Sequence, residues 1–314
     1  MKSANKNSSF TDKAIQAHNL EVSWSPEVMF EIEGLAQFTE ERSLTHCMDL
    51  THLPFVTIDG VGAQDYDDAI FASKAGDGWL LQVAIADVSH YVLPGTALDK
   101  AANSRGNSIY FVDRVIPMLP ETLSNDLCSL RPDEDRLAIV CNIFITSSGG
   151  IMEWTFDQAW IRSRLRLTYN EVDRYFEGKE ERFHQDWGDA VCESLDIASQ
   201  IVLTRRGLCI GTDRIDICFS EPTITLGDSD TVVAIGYRES SSAARLIEEC
   251  MLSANLCAAQ TIENTLDSAI YRVHKPPSSE DLLNLRQVLQ RFGLILNGGS
   301  SPKIIESKSQ KPLV

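Results

Sequence analysis

The segment between residues 55 and 88 constrains the fold of this 314-residue chain more than any other part. Apolar, β-forming residues make up most of it, and the turn sequence KAGDG, residues 74–78, separates two of its apolar runs. This pattern predicts a β-hairpin. Upstream of the hairpin, an acidic stretch connects it to another apolar run, residues 55–58. The predicted sheet therefore carries like charges where two strands meet.

The acidic stretch TIDGVGAQDYDDAIF, residues 57–71, contains no lysine or arginine and four aspartates: Asp59, Asp65, Asp67 and Asp68. We call these four residues the aspartate quartet. Neighbouring carboxylates raise each other's pKa unless a positive group lies between them. In an extended chain Asp65 and Asp67 point to one side and Asp68 to the other, so their convergence requires a turn or a bulge. Convergent carboxylates are suitable ligands for Mg²⁺. Two such ions stabilise the attacking and the leaving oxygen of a phosphodiester displacement.

Two other interpretations of the quartet follow from its spacing. A calcium loop requires oxygen ligands at alternate positions, but counting from Asp59 gives Val61 and Ala63, and counting from Asp65 gives Ala69. The calcium interpretation is therefore excluded. A solvated acidic turn without any metal is compatible with the spacing, because most charge runs are simply solvated.

Composition limits the class of protein. The chain is 43% hydrophobic and 23% charged, which is typical of a folded protein, and its net charge of −17 argues against a self-sufficient electrostatic binder of nucleic acid. The eight cysteines lack zinc-ligand spacing and lie mostly among apolar residues. We expect a cytoplasmic protein without a signal peptide or membrane span, because no apolar run approaches the ~18 residues that a span requires.

Strand patterns dominate the first half of the chain and helical patterns the second, which predicts an α+β fold. The predicted strands are residues 55–58, 69–72, 79–88, 108–111, 137–145 and 151–167. The predicted helices begin behind Pro26 and cover residues 169–177, 188–205, 242–265 and 279–292.

Several motifs occur in order along the chain: the acidic stretch, VAIADVSHYV, RLTYNEV, ARLIEECMLSAN and IYRVHKPP. Together they resemble the RNB catalytic domain of the ribonuclease II and ribonuclease R family. The resemblance implies a mixed, mainly antiparallel sheet followed by packed helices. It indicates a partial RNB domain over residues 15–294, and the flanking residues 1–14 and 295–314 are predicted to be disordered.

The resemblance also implies an activity. Members of the family are 3′–5′ exoribonucleases that hydrolyse single-stranded RNA to nucleoside 5′-monophosphates by a two-metal mechanism with Mg²⁺, and Mn²⁺ is the expected substitute. Asp59, Asp65, Asp67 and Asp68 match the acidic positions of the family and inherit its catalytic and metal-binding roles. We expect the loss of Asp67 to be the most damaging.

Three further residues match RNA-contacting positions of the family: Tyr110, Tyr169 and Glu248. Each has an ordinary structural alternative, namely a core aromatic, a residue at a helix start and a solvated helical glutamate. His90 is assigned a structural role. Arg162, Arg164 and Arg166 alternate along one strand, where they could contact phosphates, but the favoured interpretation is a solvated basic face.

The sequence departs from the family at two places. A later segment with the pattern S-P-I-R-R-Y, whose arginine reaches the scissile phosphate, is not found before Val314. The aromatic expected after the Arg206-Gly207 pair is replaced by Cys209, Ile210 and Gly211. The alternative prediction is therefore a truncated, weak or silent RNB fragment that binds metal and RNA only. A third hypothesis, an acidic interaction protein without metal, rests on net charge alone.

Overall fold

The computed structural model of the chain describes residues 9–38, 47–178, 182–209, 220–227, 231–238, 241–266, 268–296 and 305–307. These residues fall into two compact units, one within Met1–Leu208 and Asp216–Ala258, the other within Cys209–Ile215 and Ala259–Val314. The sheet and the acidic stretch belong to the first unit.

The strands of the described residues are β1 (Met48–Asp49), β2 (Phe55–Asp59), β3 (Asp68–Ala75), β4 (Gly78–Ala86), β5 (Ile109–Tyr110), β6 (Val115–Ile116), β7 (Asp135–Ile145), β8 (Ile151–Thr168), β9 (Glu221–Leu226), β10 (Val232–Arg238), β11 (Leu294–Leu296) and β12 (Ile305–Ser307). The main sheet has the order β1-β8-β2-β3-β4-β7. Strand β8 also pairs with β7, so the pairings form a closed ring. The ring closes because β8 is 18 residues long: its first part pairs antiparallel with β7 and its last part parallel with β2.

The helices are α1 (Phe10–Ala17), α2 (Pro26–Phe38), α3 (Val88–Tyr91), α4 (Ala97–Arg105), α5 (Tyr169–Phe176), α6 (Phe183–Trp187), α7 (Asp189–Cys209), α8 (Ser242–Thr265) and α9 (Ser279–Arg291), with a short π-helix at Leu123–Leu127. Helix α9 is capped by Ser278, whose side chain accepts from the Asp281 amide. Each helix in the described ranges is too short or too polar to cross a membrane.

Along the sheet strands, successive residues belong in turn to one or the other of two apolar clusters. In β3, Ile70 and Ala72 join the cluster that includes α5, α7 and the first part of α8, whereas Ala69 joins the cluster with α2, α4 and the π-helix. Side chains of a strand point alternately to its two faces, so both faces of β3 are covered. This burial explains why the strands are apolar at successive positions rather than at every second one.

The structure confirms the α+β class and the mainly antiparallel sheet. The predicted hairpin is present, since β3 pairs with β4 from Asp68↔Ile85 to Ala75↔Gly78. Its turn includes Gly76, whose φ of +60° favours glycine. The predicted strand 79–88 is too long, because β4 ends at Ala86 and Val88 begins α3. The hairpin of β9 and β10 was not predicted.

Residues 10–14, which are part of the predicted disordered segment 1–14, lie in α1. Ser9 and Asp12 form a capping box, in which the Ser9 hydroxyl accepts from the Asp12 amide and the Asp12 carboxylate accepts from the Ser9 amide. Arg114 also forms an ion pair with Asp12 at 3.0 Å. Residues 1–8 lie outside the described residues.

Two short segments of the predicted disordered end, residues 295–314, belong to strands. Leu294–Leu296 pairs antiparallel with Ile305–Ser307, and this pairing satisfies backbone groups that an irregular tail leaves to water. The rest of the predicted tail and residues 210–219, where the missing family aromatic was sought, are outside the described residues. The predicted domain limits of 15 and 294 stay a prediction.

Candidate active site

The acidic residues lie at one end of two neighbouring strands. Strand β2 ends at Asp59 and β3 begins at Asp68, and the two strands are antiparallel through the pair Val56↔Ile70. We call residues 60–67 between them the acidic loop. The loop begins with a turn in which the Ala63 amide donates to the Gly60 carbonyl at 3.1 Å. Chain reversal through this loop brings Asp59 back towards the later aspartates, as the sequence requires.

Electrostatics indicate that the quartet converges. Burial raises the pKa of Asp59 to about 7, with a further increase from the charge of Asp68 and smaller ones from Asp65 and Asp67. Burial and the charge of Asp67 raise the pKa of Asp68 to about 6. The pKa of Asp67 is raised by burial and by Asp65. Asp65, Asp67 and Asp68 therefore each contribute to the raised pKa of another member of the quartet.

Besides its raised pKa, Asp59 has a buried polar atom without a partner. Its Oδ2 atom is buried and has no hydrogen-bond partner in the structure. A buried carboxylate oxygen without a partner is costly, and a cation is one way to compensate it. Oxygen donors are also what Mg²⁺ prefers, so the residue types fit that ion. Among the described residues, however, no three acidic, histidine or cysteine groups are already arranged around one metal position. Binding an ion therefore requires side chains of the quartet to move.

Arg166 is a residue of this site to which sequence reasoning gave no role. It is opposite Thr57 in the parallel pairing of β8 with β2, and its Nη2 donates to the carbonyls of Gly60 at 2.7 Å and Val61 at 2.8 Å. Its charge lowers the pKa of Asp59 and opposes part of the increase. The prediction of a solvated basic face is therefore wrong at Arg166. Parallel pairing of β8 with β2 was not predicted, and this pairing brings the arginine to the loop.

Ser129 is the second residue that was missed. Its side chain is fully buried, and its hydroxyl donates to the Gln64 carbonyl at 2.9 Å and accepts from the Tyr66 amide at 3.0 Å. The Leu130 amide donates to the Tyr66 carbonyl beside it. Ser129 lies in the segment SNDLCSL, residues 124–130, to which sequence reasoning assigned no role.

The structure places Tyr169 next to the quartet. Thr168, the residue before it, is the register partner of Asp59 and caps α5, so Tyr169 is the first residue of that helix. Tyr169 is partly buried and packs against the apolar cluster under α5.

Glu248 is exposed on α8, whereas its neighbour Glu249 is buried and forms an ion pair with Arg205 at 3.2 Å. The two adjacent glutamates thus differ in environment, and Glu248 is the one open to solvent. The same helix approaches the quartet at Cys250, because the charge of Asp68 helps to raise the pKa of that buried thiol.

Tyr110 lies on a different element. It belongs to the separate two-stranded sheet of β5 and β6, is 69% exposed and is paired with Val115. A core role for Tyr110 is excluded by this exposure. The structure brings Tyr169 close to the aspartates and presents Tyr110 on a hairpin of its own.

Fold and site together define an α+β protein with a buried acidic centre where two strands of a closed sheet end. The sequence profile of the RNB domain matches residues 47–313, and the chain belongs to the RNB domain family. It is 39% identical over 293 residues to ribonuclease R of Vibrio cholerae and 37% identical over 312 residues to ribonuclease R of Escherichia coli. The chain is thus related to RNA-hydrolysing enzymes.

Solved structures give the same relationship. Ribonuclease R of Mycoplasma genitalium in complex with ribose-methylated single-stranded RNA matches 88% of the chain with a TM-score of 0.82 at 31% identity. The complex of that enzyme with double-stranded RNA matches 89% at a TM-score of 0.79 and 33% identity. Yeast Ssd1, described as a pseudonuclease, shares the fold at a TM-score of 0.62 and 17% identity. The fold alone therefore does not decide whether a chain is active.

The matches cover most of this chain but only part of each relative. They span 93% and 96% of the chain, against 35% and 38% of the V. cholerae and E. coli proteins and 43% of the M. genitalium chain with single-stranded RNA. The chain spans little more than a third of the length of the curated relatives.

Proposed function

We propose that this chain carries the metal-binding part of a 3′–5′ exoribonuclease, which hydrolyses single-stranded RNA to nucleoside 5′-monophosphates with Mg²⁺, or Mn²⁺ in its place. The observation that carries the proposal is a buried Asp59 oxygen without a hydrogen-bond partner, together with three nearby aspartates whose charges raise the pKa of Asp59, in a member of the RNB domain family.

The proposed roles of the quartet follow from its environment. Asp59, whose pKa is raised to about 7, is partly protonated at neutral pH in the free protein and releases its proton when a cation binds, whereas Asp68, with a pKa of about 6, is mostly ionised there. Asp67 orients the attacking water by accepting a hydrogen bond from it. Magnesium bound by the four carboxylates supplies stabilisation of the developing negative charge and a more acidic water.

The proposed RNA contacts are Tyr110, Tyr169 and Glu248. Tyr110 is exposed enough for a base to stack on it, and such stacking tolerates any sequence. Tyr169, beside the register partner of Asp59, contacts the terminal nucleotide, and the Glu248 carboxylate accepts a hydrogen bond from a ribose 2′-OH. These three residues together favour binding of RNA over DNA close to the phosphodiester bond that is cleaved.

The test is hydrolysis of 5′-labelled single-stranded RNA by the purified chain in Mg²⁺. We expect shortening from the 3′ end, release of nucleoside 5′-monophosphates and loss of both in EDTA. Asp67→Asn should lower the rate at least ~100-fold, because metal catalysis contributes several kcal/mol. Asp77→Asn, which changes an exposed aspartate of the β3–β4 turn, is the control and should leave the rate unchanged. Internal cleavage products, or equal rates for Asp67→Asn and the unchanged chain, would exclude the proposed activity.

The second candidate is a fragment that binds metal and RNA without hydrolysing it. It is favoured by the lack of a preformed metal arrangement among the described residues and by a pseudonuclease with the same fold. Binding of RNA in Mg²⁺ without any product after prolonged incubation would favour this candidate.

A further inference from the structure

The acidic loop lies outside the strand ladders, although it carries Asp65 and Asp67 and connects Asp59 to Asp68. Its conformation therefore depends on bonds from other elements. Two side chains make such bonds to its backbone, one near its start and one near its end. Both come from elements distant in sequence, since Arg166 is in β8 and Ser129 follows the π-helix.

We propose that Arg166 and Ser129 are positioning residues that fix the acidic loop in the conformation in which the quartet converges. The effect of these residues on metal binding rests on the proposed function. Their effect on the conformation of the acidic loop does not depend on it. Neither side chain has to touch RNA or metal in this role.

Arg166 fixes the start of the loop. One guanidinium nitrogen donates to two successive carbonyls, those of Gly60 and Val61, directly after Asp59. The guanidinium also lies over the Tyr66 ring at 5.7 Å from its centroid, so it contacts the loop near both ends. Charged donors form stronger hydrogen bonds than neutral ones, and a planar guanidinium keeps its donors in a fixed geometry.

Ser129 fixes the end of the loop. Its hydroxyl both donates to Gln64 and accepts from Tyr66, the residues on the two sides of Asp65. Full burial of this serine excludes water as a substitute partner for the two backbone groups. One buried hydroxyl group thus bonds the backbone on both sides of Asp65.

The first readout is hydrogen–deuterium exchange of peptides that cover residues 60–67, which requires neither metal nor activity. Arg166→Gln and Ser129→Ala should each increase exchange in these peptides. Two matched controls are available. Arg164→Gln changes the neighbouring arginine of β8, which donates to the Thr51 carbonyl, and Ser194→Ala removes a buried hydroxyl that accepts from the Ala72 amide. The controls should leave exchange of residues 60–67 unchanged.

The second readout is Mn²⁺ affinity, measured by electron paramagnetic resonance well below the melting temperature. Arg166→Gln and Ser129→Ala should each weaken binding about tenfold, which equals about 1.4 kcal/mol. Arg166→Lys, which keeps the charge, should bind Mn²⁺ more tightly than Arg166→Gln. A purely structural role would lower the melting temperature and leave the affinity of the folded protein unchanged.

The outcomes separate the two proposals. Unchanged exchange of residues 60–67 in both variants overturns the positioning role, and so does Mn²⁺ affinity within about twofold of the unchanged chain. A third outcome is that the variants show increased exchange although the unchanged chain binds no Mn²⁺. This outcome would support the positioning role of Arg166 and Ser129 and would contradict the proposed function. If Arg166→Gln does not fold, Ser129→Ala carries the test, because it removes only one oxygen atom.

Discussion

The acidic loop and the Tyr110 hairpin, to which the proposed function assigns metal binding and base stacking, have opposite construction. The loop is held by the buried Ser129 and the half-buried Arg166, and of its two carboxylates Asp65 is half-buried and Asp67 is exposed. The hairpin of β5 and β6 is exposed and is connected to α1 through surface contacts, in which Arg114 pairs with Asp12 and Thr11 donates to Asp113 at 2.6 Å.

The difference corresponds to the demands of the two tasks. The same type of bond is cleaved at every nucleotide, and the rate of cleavage increases when the catalytic groups are held in one geometry before the substrate binds. A residue that contacts successive bases has to accept all four base types, and an exposed aromatic ring can stack on any of them. We therefore expect large effects on rate from changes at the loop and moderate effects on RNA affinity from changes at the hairpin.

The largest expected effect concerns Asp68. Asp68→Asn should lower the rate of RNA hydrolysis at least ~100-fold, because it removes a metal ligand. The same change should raise the metal-free melting temperature at pH 8 by a few degrees, roughly 2–4 °C, since it removes a buried charge next to Asp67. Rate assays and calorimetry on one preparation check both parts. A variant that is inactive and also less stable would show that Asp68 has a structural role instead.

The next effect concerns the hairpin. Tyr110→Ala should weaken binding of single-stranded RNA about 5- to 150-fold, the equivalent of one lost stacking contact of ~1 to 3 kcal/mol. The melting temperature should not change, because the ring is 69% exposed. Fluorescence anisotropy with labelled RNA measures the affinity. Tyr237→Ala, at an exposed tyrosine of β10, is the matched control, and an equal loss there would argue against a specific role for Tyr110.

A smaller effect is expected on the melting temperature when the pH is changed. The pKa values of Asp59 and Asp68 are raised in the folded state to about 7 and about 6 from 3.8, so these groups add stability that is complete below pH 3.8. That stability is lost as the pH rises through 6 and 7. The metal-free melting temperature should therefore fall between pH 5 and pH 8, and the increase produced by Mn²⁺ should be larger at pH 8.

Thermal unfolding at both pH values, with and without Mn²⁺, checks this prediction. The double variant Asp59→Asn with Asp68→Asn should lose most of the pH dependence. Equal stabilisation by Mn²⁺ at both pH values would contradict the assignment of the raised pKa values to the metal site.

The smallest expected effect concerns the support of the hairpin by α1. Arg114→Ala removes an exposed ion pair with Asp12, and such pairs contribute at most about 1 kcal/mol. We expect RNA affinity to change by less than in Tyr110→Ala. An affinity loss as large as that of Tyr110→Ala would show that α1 holds the hairpin in its binding position.

Much of the fold could be predicted from local sequence patterns. The hairpin of β3 and β4 was predicted from its turn residues, and the whole of α8 was predicted from its helical spacing. Within the segments predicted to be disordered, short elements depend on partners that a local sequence pattern does not show. Helix α1 needs the capping box of Ser9 and Asp12, and β11 needs β12, which is nine residues further on.

The acidic positions of the site could be predicted, but what holds them in place could not. The quartet is visible as a cluster of carboxylates in one short stretch. The contributions of Arg166 and Ser129 depend on which strands are neighbours and on a loop that follows the π-helix, and no local pattern contains this information. Arg166 looked like one of three equivalent arginines until the parallel pairing of β8 with β2 distinguished it from Arg164.

The central claim is that the quartet is a metal site, and anomalous scattering from crystals soaked in Mn²⁺ tests it most directly. The account predicts a peak within ligand distance, roughly 2.0–2.3 Å, of oxygen atoms from Asp59, Asp67 and Asp68. The peak should disappear in crystals of the double variant Asp67→Asn with Asp68→Asn. Absence of a peak at the quartet in crystals of the unchanged protein, at millimolar Mn²⁺ and pH 8, would contradict the account.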